Sequence, residues 1–219
     1  VAGGTVHHDG VDEKVDGRAT RARRRDETRT RVLDIVERRL RDGETFADIK
    51  VGELVAEAGL SRTTFYVYFP DKADLLRAWY DEVSDSIMAA AGRWWSLDGT
   101  ATVDDVRAVL RGIVDAYRPH PELMAATHEA VGYDRGVRAA VEDAMSRYIT
   151  GLTEHITAGQ RAGFVDPALP AAETAYWLQW MAERGLHRMV RVEEERRTDA
   201  LLDAYSRIVW NTLYAPVQR

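Results

Sequence analysis

The segment SRTTFYVYFPDK, from Ser61 to Lys72, concentrates Arg62, Thr63, Thr64, Tyr66 and Tyr68 in one short run and follows them with Lys72. Guanidinium, hydroxyl and ammonium groups donate to phosphate oxygens, and short polar side chains also meet base edges, so this is chemistry suited to duplex DNA. Acting together, those groups must project from one face, and the neighbouring residues say how. Leu54, Val55 and Ala58 recur at helical spacing and predict a helix over Val51–Ala58 with one apolar stripe. Gly59 can take the left-handed conformation that closes a helix, and Leu60 can pack back beneath it. Ser61 is a helix N-cap, and Pro70 stops the helix that starts at Arg62 near Tyr68. So short a helix must be held by packing, for which Phe65 and Phe69, four apart, are the anchors. The predicted unit is a helix-turn-helix whose free face carries the polar groups.

At these residues the chain resembles the N-terminal domain of the TetR/AcrR family of transcriptional regulators. Ser61 to Lys72 matches that family's S-x-x-T-F-Y-x-Y/H-F recognition helix and following P-x-K. Thr30 to Leu40 fits its first helix, and Lys72, Leu75, Leu76 and Tyr80 fit the start of its long fourth. The resemblance implies a homodimer that binds double-stranded operator DNA and leaves it when a small molecule enters the C-terminal domain. By position it implies that Thr63, Thr64 and Tyr66 meet bases and backbone, and that Tyr68 and Lys72 meet phosphate. Lys50 stands where the family places a capping Ser or Thr, which predicts a weaker cap and a further phosphate contact.

The C-terminal half resembles the ethionamide-resistance repressor branch of the family, through Leu169-Pro170, Gln179, Glu183-Arg184 and the Trp210 to Tyr214 ending. Ile113, Tyr117, Met145, Tyr148, Gln179 and Trp210 come from separate predicted helices and suit the lining of an apolar cavity for a small hydrophobic effector. In the branch, the positions matching Met145, Tyr148, Gln179 and Trp210 face an elongated pocket. Here glutamine replaces the branch's asparagine, and Val106 is one of several aliphatics in place of pocket aromatics. The last two predicted helices are rich in large side chains, with Trp177 and Trp180 on a different side from Leu178 and Met181, so two faces are expected to be buried. The resemblance implies a four-helix dimer interface there. Dimerisation also fits readout, since two short reading helices about 34 Å apart reach successive major-groove turns.

Composition is consistent. The 219 residues contain no cysteine, which excludes disulfides, thiolate catalysis and cysteine-rich zinc sites. The net charge of -6 is unevenly spread: residues 18–80 carry 14 basic and 11 acidic side chains, residues 81–219 carry 15 and 21. Arg18, Arg21, Arg23, Arg24, Arg25, Arg29 and Arg31 crowd the approach to the first helix and suit phosphates or a minor groove. Residues 1–25 lack apolar periodicity and are expected to be a disordered basic arm. The helix-turn-helix domain then spans 26–71 and the ligand-binding and dimerisation domain 72–219. The whole reads as all-α, with about nine helices: Asp26–Arg41, the two of the motif, Lys72 to about Gly92 or Trp95, Val103–Tyr117, one opened by Pro121, Val137–Ala162, Ala171–Val192 and Arg196–Tyr214. No apolar run spans a bilayer and no signal peptide is legible, so a cytoplasmic protein is expected.

The histidines show no metal-ligand spacing, and no nucleophile elbow or phosphate loop is present, so neither catalysis, nor metal, nor cofactor is expected. Two functions remain: a ligand-responsive regulator, foremost a repressor, or a ligand-independent DNA-binding dimer that answers to a protein partner or acts architecturally.

Overall fold

The computed structural model describes residues 9–192 and 195–215, and among these all regular structure is helical. The chain divides into two compact units after Leu75, a few residues beyond the boundary expected at 71/72.

The first unit contains α1 (Asp9–Arg41), α2 (Val51–Glu57), α3 (Arg62–Tyr68) and the first residues of α4 (Ala73–Trp95). α1 begins well before Asp26, so residues 9–25 are helical rather than the expected disordered arm. Low hydrophobicity was the wrong signal for this stretch. It lacks proline, carries five arginines, and gains an i,i+4 pair between Arg23 and Glu27 at 3.6 Å, features compatible with a helix despite its two glycines. In α1, Val32, Leu33, Ile35 and Val36 are buried with Phe46, Ile49, Leu54, Phe65 and Phe69. Arg39 straps α1 to α2: its guanidinium meets Glu53 at 2.9 Å, Glu57 at 3.1 Å and Glu44 at 3.4 Å.

Local chemistry ends these helices where the sequence says it must. Gly59 sits at φ 66°, Leu60 N–H donates to Val55 C=O at 2.7 Å and Gly59 N–H to Ala56 C=O at 3.2 Å, the paired bonds that satisfy a helix C-terminus. The Ser61 hydroxyl accepts from Thr64 N–H at 3.0 Å and starts α3.

The second unit holds the rest of α4, then α5 (Val103–Tyr117), α6 (Pro121–Ala130), α7 (Arg135–Ala162), α8 (Ala171–Val192) and α9 (Glu195–Leu213). Thr102 and Asp105 form a reciprocal capping box on α5, and Pro121 opens α6 at a position that needs no N–H. α7 starts two residues earlier than expected because the Asp134 carboxylate accepts from Val137 N–H at 2.8 Å. Its end is Gly163, at φ 86°. α7 packs mainly on α8, and α5 on α9. Their shared core contains a fully satisfied polar chain: Trp94 Nε1–H donates to Tyr214 Oη at 3.2 Å, which pairs with His155 Nε2 at 2.8 Å, while His155 Nδ1 meets the Trp95 carbonyl at 3.2 Å. Burial lowers the His155 pKa and keeps the ring neutral, so its role is structural.

Phe65→Ala removes the central anchor of α3 from a fully buried site and is expected to cost the first unit about 3–5 kcal/mol. Hydrogen exchange checks this, with protection lost in α2 and α3 and kept in α5 to α9.

Candidate DNA-reading helix and effector cavity

α3 presents its polar face as the spacing requires, but its groups are not equally free. Thr63 is exposed, and Tyr66 is 51% exposed beside the buried Phe65 ring, with ring centroids 5.4 Å apart in an edge contact. The Thr64 hydroxyl shares a 2.8 Å hydrogen bond with Ser61 Oγ and so belongs partly to the cap. The Arg62 guanidinium lies back over Gly52 at the start of α2, so close that a β-carbon there would stand 2.5 Å from its Nη2. Tyr68 is half-buried and makes an edge contact with Phe69. Lys50 gives α2 no side-chain cap; its ammonium is 3.7 Å from Glu53 on a side chain that is 79% exposed. Val67, which polarity-based reasoning passed over, is 73% exposed on the same surface. A helical wheel would have found it, since it lies opposite Phe65 and Phe69, and an apolar group there suits a thymine methyl.

Lys72 does not fit the phosphate contact expected of it. Its Nζ donates to the carbonyls of Phe46 at 2.5 Å, Ala47 at 3.0 Å and Ile49 at 2.8 Å, and lies 4.7 Å from the Phe46 ring centroid. An ammonium has three N–H donors, and these carbonyls take all three. Burial draws its pKa below the ordinary lysine value. The residue ties the α1–α2 connection to the start of α4.

In the second unit a cavity of about 340 Å³ opens among α4 to α9. Ile113, Tyr117, Met145, Tyr148 and Gln179 line it. Trp210 does not. Its ring stacks at 5.3 Å on Tyr214, which follows the end of α9, and Phe164 stacks on the same tyrosine at 5.8 Å, so the indole packs against the core. Val106 is likewise fully buried core rather than lining. The Tyr148 hydroxyl donates to the Ser84 carbonyl at 2.9 Å, and Gln179 Nε2 reaches Met145 Sδ at 3.8 Å.

Among the lining residues that sequence reasoning missed, two carry titratable groups in contact. His128 Nε2 is 3.2 Å from Glu183 Oε1, and the Tyr117 hydroxyl lies 3.4 Å from His128 Nε2 and 3.3 Å from His187 Nδ1. Burial first, then the neighbouring His187 and Arg184, brings the His128 pKa down to about 4; burial raises that of Glu183. Only the fold joins these residues, since His128 is on α6 and Glu183 on α8.

The exposed face of α8 carries Tyr176, Trp177, Trp180 and Met181, with Trp177 at 67%, while Ala175 and Leu178 face inward. Met181 therefore lies with the tryptophans, not with Leu178 as the spacing suggested. Tyr176 touches both indoles, with ring centroids 6.3 Å from Trp177 and 6.1 Å from Trp180. Among the described residues no cluster of three metal-ligating side chains occurs, and no helix is long and apolar enough to cross a membrane.

Two family models match the chain: that of the C-terminal domain of the transcriptional regulator EthR over residues 106–215, and that of the bacterial regulatory proteins of the tetR family over residues 45–79. The chain belongs to the TetR family and carries an EthR-type C-terminal domain. Its relatives include the HTH-type transcriptional regulator EthR of Mycobacterium tuberculosis, 28% identical over 200 residues that cover 90% of this chain and 92% of that one. EthR of Mycolicibacterium smegmatis is 28% identical over 80% of this chain and 82% of its own length, and the repressor LfrR of the same organism is 32% identical over 54% and 64%. Among solved structures, Salmonella enterica GusR aligns with a TM-score of 0.68 at 15% identity, over 85% of this chain and 95% of that one. A TetR-family regulator of Syntrophomonas wolfei gives 0.67 at 15% identity, over 86% and 95%. This family places the chain among DNA-binding transcriptional regulators, not enzymes.

Two measurements follow from the site. Lys72→Met should lower the stability of the first unit by about 2 kcal/mol through its orphaned carbonyls, and leave the slope of log affinity for DNA against log salt unchanged. The unfolded chain protonates His128 near pH 6.5 and the folded chain only near 4. The second unit should therefore hold its full His128 contribution above pH 6.5 and lose up to about 3 kcal/mol of it as pH falls toward 4, with protonation of Glu183 opposing that loss. All the tryptophans lie beyond residue 75, so their fluorescence follows that unit alone, and His128→Phe should flatten the dependence.

Proposed function

We propose that this TetR-family regulator is a dimeric repressor that acts in the cytoplasm and leaves its operator when a small hydrophobic molecule occupies the cavity among α4 to α9. The cavity carries this reading: it is large, mostly apolar in its lining and built from separate helices, the ordinary character of a small-molecule site. On this reading Thr63, Tyr66 and Val67 meet bases, while Lys50, Arg62 and Tyr68 meet phosphate. Thr64 contributes through its shared cap, and Lys72 holds the frame. The basic stretch along α1 supplies further phosphate attraction and the acidic remainder keeps the body of the dimer off the DNA.

Dimerisation uses the exposed aromatic face of α8 together with α9, where Ile208 is also exposed. Exposed aromatics of this size on one face are the composition of an interface core. Control is a shift of population: an effector that prefers the non-binding arrangement of the dimer weakens the operator complex by its differential affinity. α4 is the covalent path, contributing Leu75 to the first unit and Tyr80 to the cavity lining.

Tyr66→Ala should weaken binding to selected operator fragments at least tenfold with the dimer intact in sedimentation. The double change Trp177→Ala and Trp180→Ala should give monomers and abolish cooperative binding to two half-sites. A panel of hydrophobic small molecules in thermal shift tests the cavity: at least one should raise the melting temperature of the second unit, and silence across the panel counts against ligand control.

A further inference from the structure

We propose that the effector carries a protonated amine, or a like cationic N–H group, which docks on Glu183 while its apolar body fills the cavity. The inference rests on the cavity being the effector site.

The Glu183 side chain lines the cavity and is only 11% exposed. Oε1 meets His128 Nε2, but Oε2 is buried and has no hydrogen-bond partner among the described residues. Arg184 Nε stands 3.8 Å from Oε2, beyond hydrogen-bond reach, on a side chain that is 73% exposed. A buried carboxylate oxygen left unmet is costly, and an N–H donor placed on it recovers a charge-assisted hydrogen bond.

The other polar groups of the wall are already engaged: the Tyr148 hydroxyl with Ser84, the Gln179 amide with Met145, the Tyr117 hydroxyl with His128 and His187. The unmet group is therefore an acceptor, and its complement is a donor. Arg188 and Arg197 also border the cavity and would favour an anion, but both are exposed, where solvent screens their attraction. Glu183 has lost its water on folding, so only the ligand's amine is desolvated on binding. Gln179 and Glu183 are one helical turn apart on α8, so a head group at Glu183 leaves the body of the ligand running past Gln179 and Met145. Burial raises the pKa of Glu183, and the attraction of the exposed Arg184 only partly opposes it.

The test uses the full chain at pH 7.5 and three probes that share one apolar body: 4-phenylbutylamine, 4-phenylbutan-1-ol and 4-phenylbutanoate, titrated by calorimetry. The amine should bind about tenfold or more tighter than the alcohol, and the acid weakest. Glu183→Gln should bring the amine to the alcohol's affinity and leave the alcohol unchanged. An amine no tighter than the alcohol, or an advantage that survives in Glu183→Gln, overturns the proposal while leaving the cavity reading standing. Binding by none of the three overturns both. If Glu183→Gln fails to fold, the comparison of head groups on the unaltered chain decides alone.

Discussion

A helix of seven residues does not hold itself in water, and the first unit is built around that constraint. α3 persists because Phe65 and Phe69 are fully buried beneath it, because Ser61 caps it and because the turn at Gly59 satisfies the end of α2. The supports reach outward from there. Arg39 straps α1 to the carboxylates of α2, and Lys72 closes the connection between those helices by holding three of its carbonyls. Arg39 holds side-chain carboxylates and Lys72 holds backbone carbonyls, and Thr63, Tyr66 and Val67 are left on the solvent-facing surface. Preorganisation of this kind matters because a mobile reader would lose affinity to the ordering of its own side chains and backbone.

The second unit follows a different logic. Its core holds a hydrogen-bonded chain through Trp94, Tyr214, His155 and the Trp95 carbonyl, yet beside it the unit keeps an apolar cavity with Glu183 in its wall. Close packing would be the more stable solution. On the proposed function, the cavity is where an arriving molecule supplies the missing contacts, in contrast with the tightly stacked Trp210, Tyr214 and Phe164.

Much of this was legible because helix boundaries are written in local chemistry. Thr102, Pro121, Ser61 and Pro70, with Gly59 and Gly163, act on their own neighbours, and the helices they bound appeared within a residue or so of expectation. Aspects set by distant partners were not legible. Lys72 looked like a phosphate ligand because nothing near it shows that carbonyls from Phe46 to Ile49 await its ammonium. His128 and Glu183 meet only once α6 packs beside α8. The helical residues 9–25 were misjudged for another reason: polarity without periodicity argues against a buried face, but not against a solvated helix. Trp210 could have been placed correctly from its spacing to Tyr214 alone.

The central claim is that occupancy of the cavity and occupancy of DNA are coupled. The direct measurement is the affinity of the dimer for a selected operator fragment, titrated with and without a saturating cavity ligand, alongside the affinity for that ligand with and without the fragment. The account predicts that both fall by the same factor, about 5- to 150-fold, as linkage requires for a coupling of about 1–3 kcal/mol. A ligand that fills the cavity and leaves operator affinity unchanged would contradict it.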